Sequence, residues 1–332
     1  MNDLDLNYNY VIAGSGEYYL VGYHDIINMP CVSYHVGYND GFSGFVQKQM
    51  LRWNFSRQLN KYLHTPFSWF VYPRLYPYSF AKKKPLCYVF FGNRQYIYQT
   101  SYLDYLRRHF AGVKIVLYMQ DLVSRTNDLH IEKVANKFDL LLSYDQGDAK
   151  RYNMDFHPTP MSYVDVPDNK DLPTSDIYFC GFAKNRYELI HEVFRKCREY
   201  NLVCDFNILD LPENVKKVDG VHYPAKPFDY MTNLQHVKKT RCILEIMQEG
   251  ADGFTPRLWE SIIYDKHLLT NNKNVQGSAY YYANGCHDIS MLSSSNVVPA
   301  IKKMVEYPKS IKASLSPIHL LQFIDKKLAS VQ

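Results

Sequence analysis

At 332 residues, 46% of them hydrophobic and 21% charged, the chain is longer than one typical domain and has the composition of a globular protein able to bury two cores. A net charge of +5, with no zinc-finger, homeodomain or RNP-like pattern, excludes a committed nucleic-acid binder. No apolar run reaches the roughly 20 residues of a membrane span, MNDLDLNYNY is unlike a signal peptide, and seven scattered cysteines show no CxxC spacing, so the sequence reads as cytoplasmic with reduced core thiols.

In chain order, Tyr10 to Ala13 form a strand that runs into Gly14-Ser15-Gly16. A nicotinamide oxidoreductase is the natural rival here, but the third glycine position of its fingerprint holds Tyr19 and no acidic residue ends a clear second strand. These glycines are therefore read as letting the backbone approach a substrate or a neighbouring loop. Thirty tyrosines, with clusters at Tyr8, Tyr10, Tyr18, Tyr19, Tyr23 and at Tyr280 to Tyr282, suit either sugar-binding surfaces or an amphipathic core and rim. After Gly41, Ser43 and Gly44, a helix is expected that interleaves Lys48, Arg52, Arg57 and Lys61 with Phe45, Trp53, Phe55 and Leu59, a pattern suited to an anionic membrane surface or to a core-facing helix with a charged back.

Leu86 to Phe91 reads as a fully buried strand, Ser101 to Phe110 as a helix, and Val113 to Tyr118 as a strand that ends near Asp121. A helix through Leu129 to Lys137 and a strand at Phe138 to Tyr144 follow, then the loop at Asp145. The alternation of strand and helix predicts an α/β domain with a mostly parallel sheet. Asp121 and Asp145 stand where such a sheet displays catalytic groups, and each suits either a general base or a helix cap. A polar, proline-bearing stretch from Met161 to Thr174 is read as the linker. Beyond it come a strand at Asp176 to Cys180, the basic loop with Lys184 and Arg186, a helix to about Tyr200, a strand at Leu202 to Leu209 and a helix from Phe228.

The most informative stretch is Arg241 to Asn272, RCILEIMQEGADGFTPRLWESIIYDKHLLTNN. An apolar strand ends in a glycine-bearing loop that reaches Gly253, Thr255 is a helix cap, Pro256 takes the first helical position, and HLLTNN is the next strand. Arg257 and Glu260 then lie near a helix N-terminus, where free N–H groups and the helix dipole favour anions. Val297 to Glu306 and Pro317 to Leu328 read as terminal helices.

The residues DIYFCGFAKNRYELI and GFTPRLWESIIYDKHLLTNN resemble the nucleotide-binding half of GT-B glycosyltransferases, in particular bacterial enzymes of capsule and O-antigen synthesis, and KFDLLLSYDQGDAKRY is similar to the end of their acceptor domain. The resemblance implies two Rossmann-like domains facing across a cleft, with residues 1–165 binding acceptor, 166–312 binding nucleotide sugar, and 313–332 a helix that packs back on the first. It implies a hexosyl- or deoxyhexosyltransferase acting on a polysaccharide or lipid-linked acceptor at the inner face of the plasma membrane, with UDP or GDP sugar as co-substrate and no cofactor. Glu260 would hold the ribose hydroxyls, and Arg257 with Lys184 or Arg186 the diphosphate, with Gly253 and Thr255 shaping the donor loop. Many retaining members carry two glutamates about eight positions apart, whereas Glu249 and Glu260 are more widely spaced, so the resemblance assigns Glu249 no catalytic role and leaves the stereochemical outcome open. GFTPRLWE is also similar to the donor segment of bacterial fucosyltransferases, which keeps GDP in play. No metal is expected, because the Asp3-Leu4-Asp5 pair precedes the first strand and fixed cations would stabilise the leaving diphosphate. A non-catalytic nucleotide-sugar-binding subunit is the rival outside the enzyme classes.

Overall fold

The computed structural model describes residues 5–38, 40–56, 58–92, 100–125, 131–211, 215–248, 253–293 and 296–330. Arg57, Glu249, Asp252, Asp3 and Leu4 lie outside the described residues, as does part of the helix expected from Leu129. The chain divides into two compact units, Met1–Pro160 with Pro317–Gln332, and Met161–Ser316.

The first unit is built on six strands, β1 (Asn9–Ala13), β2 (Val32–His35), β3 (Leu86–Phe91), β4 (Lys114–Met119), β5 (Leu140–Ser143) and β6 (Asp155–Phe156). They run in the order β2-β1-β3-β4-β5-β6, and every neighbouring pair is parallel. Parallel strands need crossover connections that cover both sheet faces, which is why LCYVFF and KIVLYM are nearly continuous apolar runs. Successive side chains still alternate. Val11, Tyr88, Phe90, Ile115 and Leu117 enter one core, while Tyr10, Ile12, Val89, Phe91 and Val116 enter the other.

The second of these cores is closed by the last helix, Pro317–Ala329, through Leu320, Leu321, Ile324 and Leu328. Asp325 on that helix is buried, yet its carboxylate is satisfied: it accepts from the Asn7 backbone N–H at 2.9 Å, from Asn7 Nδ2 at 2.6 Å and from the Tyr10 hydroxyl at 3.0 Å. Tyr8, Tyr10 and Tyr23 are core residues, which settles those three against a sugar-binding surface. The basic aromatic helix expected to include Lys61 is shorter: it covers Phe45–Asn54 and is followed by a single turn at Leu59–Lys61. Between Pro66 and Pro77 the chain forms only short helical turns, Ser68–Val71 and Tyr72–Arg74.

The second unit carries β7 (Ser175–Phe182), β8 (Cys204–Leu209), β9 (Thr240–Glu245), β10 (His267–Thr270) and β11 (Cys286–Asp288) in the order β11-β10-β9-β7-β8, again all parallel. Counted from each unit's own first strand, both sheets run second, first, third, fourth, fifth. Each therefore reverses its strand order between its first and third strands, and ligands of open α/β sheets bind at the carboxyl ends of such strands. The Tyr187–Glu199 helix packs Ile190, Val193, Phe194 and Cys197, at helical spacing, into the core with Phe179 and Phe206. Among the described residues no helix is long and apolar enough to cross a membrane.

Candidate functional site

In the second unit the reversal point lies between β7 and β9, and the sequence places charged residues on every segment that leaves it. β7 delivers Gly181 and then the short turn Lys184–Arg186, in which Lys184 adopts a left-handed backbone with φ 44°. A non-glycine residue held there is the kind of local strain that accumulates at ligand sites. β9 delivers Glu245, and the Pro256–Ile263 helix delivers Arg257 and Glu260.

That helix begins as expected. Thr255 caps it by accepting from the Arg257 backbone N–H at 3.2 Å, with Pro256 in the first turn. The same threonine hydroxyl donates to Glu245 Oε1, and Thr270 at the end of β10 donates to Glu245 Oε2. Glu245 is thus a fully buried carboxylate that ties β9, β10 and the helix start together. Burial pushes its pKa up, while the two threonine hydroxyls, Arg257 and Arg186 oppose the rise. Gly253 takes part through its carbonyl, which accepts from Asn272 Nδ2 at 3.1 Å.

Two guanidinium groups converge on Gly181. A Cβ placed there would stand 2.8 Å from Arg257 Nη2 and 3.3 Å from Arg186 Nη2, so the absent side chain makes room for them. Arg257 Nη2 donates to the Cys180 carbonyl, and Arg186 Nη1 to the Ile246 carbonyl. Both lie over the Phe179 ring, with Cζ 5.6 Å and 5.9 Å from its centroid. Arg186 is held down to about 10, first by burial and then by repulsion from Arg257, and so stays charged at neutral pH. Two like charges this close repel, the Glu245 carboxylate offsets that repulsion in part, and a planar guanidinium meets phosphate oxygens two at a time. Lys184, exposed, reaches Gln248 Oε1 at 3.5 Å beside them.

Glu260 is 4% exposed, and its Oε1 accepts from the Tyr230 hydroxyl at 2.9 Å and from Asn233 Nδ2 at 3.1 Å. Asn233 in turn accepts from Tyr178 at 2.9 Å, which fixes its amide. Burial raises Glu260 to about 7, against the opposing pull of Arg257 and these hydrogen bonds. Tyr230, Asn233 and Glu245 are the members that sequence reading missed. Glu245 had a signal, a lone carboxylate inside the apolar run CILEIM. Tyr230 and Asn233 had none, since only the fold brings their helix against Glu260.

The remaining candidates belong to the first unit. Gly14, Ser15 and Gly16 follow β1, and Asp121 and Asp145 follow β4 and β5, all at the carboxyl end of that sheet. Gly14 is pressed by the Tyr34 ring, where a Cβ would meet Cζ at 2.3 Å. The Tyr34 hydroxyl accepts from the Ser15 N–H at 3.1 Å and donates to the Ser15 carbonyl at 2.8 Å. The glycine loop is therefore shaped by its own neighbour. Asp145 caps the Gln146–Arg151 helix, its Oδ1 accepting from the Asp148 N–H at 2.8 Å. Asp121 is exposed, with Oδ1 accepting from the Leu122 N–H at 2.8 Å. Among the described residues no group of three or more His, Cys, Asp and Glu side chains gathers to hold a metal ion.

No protein-family model matches the sequence, and no curated protein matches it in a sequence comparison. Solved structures do match the fold. A trehalose-6-phosphate synthase superposes with a TM-score of 0.54, covering 97% of this chain and 97% of its own at 8% identity. Alpha,alpha-trehalose 6-phosphate synthase from Burkholderia multivorans gives 0.53, covering 98% and 99% at 10% identity. At such identities the likeness speaks for the fold alone, and that fold is GT-B, two Rossmann-like α/β units.

Proposed function

We propose that the chain is a glycosyltransferase that moves a hexosyl or deoxyhexosyl group from a UDP or GDP sugar to a polysaccharide or lipid-linked acceptor in bacterial surface-glycan synthesis. The observation that carries this reading is the pair of guanidinium groups over Gly181, Arg186 from the turn after β7 and Arg257 from the helix start that also carries Glu260. In this reading the arginines, with Lys184, take the donor's diphosphate and stabilise it as it leaves, the work a metal or cofactor would otherwise do. Glu260 takes the vicinal hydroxyls of the ribose, to which a carboxylate can accept two hydrogen bonds. Gly253 and Thr255 hold the loop in place.

The first unit takes the acceptor at the loops after its strands, and Asp121 is the favoured base for the acceptor hydroxyl if the reaction inverts. Asp145 ranks second because one of its oxygens already caps a helix. A lipid-linked acceptor implies contact with an anionic membrane. Support for it comes from Phe45, Val46, Trp53, Tyr62, Leu63 and Trp69, large apolar side chains left exposed beside the exposed cations Lys48, Arg52 and Lys61.

Calorimetric titration with UDP and with GDP tests the donor assignment, and mass spectrometry of reactions with a panel of nucleotide sugars tests transfer. Arg257→Ala should weaken nucleotide binding by about 1–3 kcal/mol, the range for losing a charged hydrogen-bond partner. If neither nucleotide binds at millimolar concentration, the reading fails at its root. Binding without transfer or hydrolysis of any donor would instead make the chain a nucleotide-sugar-binding subunit. Co-sedimentation with anionic liposomes should occur at low salt and fade as salt rises, and no sedimentation at low salt would retire the membrane contact.

A further inference from the structure

The opposite end of the second unit's sheet carries a cavity of about 450 Å³, at the amino ends of β7 and β9 and just before β10. It lies roughly 17 Å from Glu245 along β9, five steps of about 3.3 Å each, and shares no residue with the Arg186–Arg257 pair.

Its lining is strongly basic. Lys238, Lys239, Arg241, Lys266 and Lys303 face two carboxylates, Asp176 and Asp265. Those carboxylates are already engaged. Asp265 pairs with Lys312 at 2.5 Å and accepts from the Tyr307 N–H at 2.8 Å, while Asp176 accepts from the Val203 N–H at 2.9 Å and stands 3.8 Å from Arg241 Nε. Lys239 is paired with Asp168 at 2.8 Å. Lys238, Lys266 and Lys303 have no carboxylate partner among the described residues.

Lys266 is the telling member. Its ammonium is partly buried and donates to the Lys238 carbonyl at 3.0 Å and to the Thr240 carbonyl at 2.7 Å, which leaves one of its three N–H groups over. Burial holds its pKa below the usual lysine range, a cost that a bound counter-charge would remove. Ammonium groups without a carboxylate partner around a cavity of ligand size match an anion that is rich in acceptor oxygens.

We propose that this cavity is a second anion site, built to hold a small phosphorylated molecule with its phosphate against Lys266, Lys303 and Arg241. The site is independent of the donor assignment.

Inorganic pyrophosphate is the probe, titrated by calorimetry into the full-length protein carrying Arg257→Ala, so that the arginine pair at the other end of the sheet does not compete. The same titration is repeated with Arg241→Ala and Lys303→Ala added, two exposed side chains whose loss spares the core, and thermal melting confirms that this variant is folded. Pyrophosphate should bind the Arg257→Ala protein, and the added pair should weaken binding by about tenfold or more. Citrate should bind that protein at least about tenfold less tightly than pyrophosphate. Absence of pyrophosphate binding at millimolar concentration, or equal binding after the added substitutions, overturns the site. Equal binding of citrate overturns its assignment to phosphate.

Discussion

Both sheets place a glycine at the carboxyl end of their first strand, next to the point where the strand order reverses, and the two glycines do opposite things. Gly14 makes room for Tyr34, an aromatic ring from the adjacent strand that also holds Ser15 by two hydrogen bonds. Gly181 makes room for two guanidinium groups that both approach the place its side chain would take. One glycine closes the structure on itself, and the other brings two positive charges together at a sheet end. A glycine at this topological position therefore does not specify a ligand. What leans on it does.

The largest effect expected from this contrast is in the pH dependence of stability. Glu260 is raised from 4.5 to about 7 in the folded chain, so the unfolded chain ionises it first as pH rises. Its contribution to stability is present in full below about pH 4.5 and is lost as pH climbs through about 7, a change of roughly 3 kcal/mol. Glu260→Gln removes that titration. The stability of the variant relative to the native chain should rise by roughly 3 kcal/mol between pH 4.5 and 8 in denaturant melts. A difference that stays level across this range would mean the carboxylate is not enclosed as described. Tyr34→Phe, at the other glycine, should leave the pH profile unchanged.

Of intermediate size is Gly14→Ala. The new methyl group meets the Tyr34 ring, whose hydroxyl is pinned at both Ser15 backbone groups, and overpacking of this kind costs about 1–3 kcal/mol. The melting temperature should fall while UDP or GDP affinity holds; a loss of nucleotide affinity would join the two loops in function and break the comparison. The smallest effect on stability belongs to Gly181→Ala. Its methyl group meets the tip of a flexible arginine, which can swing aside, so stability should shift by less than about 1 kcal/mol while nucleotide binding weakens. An unstable variant with unchanged affinity would assign Gly181 to packing instead.

How much of this was legible in the sequence depends on how local the cause was. LCYVFF became a strand with the expected ends, and Thr255-Pro256 started its helix as expected, because buried parallel strands and helix caps are written in a few adjacent residues. Val32–His35 gave no strand signal: VSYH is four residues long, half of them polar, and it is a strand because β1 lies beside it. The arginines and Glu260 were found because they cluster near one loop and one helix start. Glu245 was passed over as part of an apolar run, and the enclosure of Glu260 by Tyr230 and Asn233 depends on a helix some thirty residues away along the chain. The basic cavity escaped notice for the same reason, since its lysines come from three separate places in the sequence.

The last helix gives the chain a schedule. Leu320, Leu321, Ile324 and Leu328 fill a core whose other walls are strands made early in synthesis, and Asp325 satisfies Asn7 and Tyr10 from more than three hundred residues downstream. While a ribosome is still adding residues, the second unit has all its strands before the first unit has its closing helix, so the order of completion runs against the order of translation. Until the final turn emerges, the nascent first unit exposes the apolar face that this helix will cover, and that interval is when it most needs protection from aggregation.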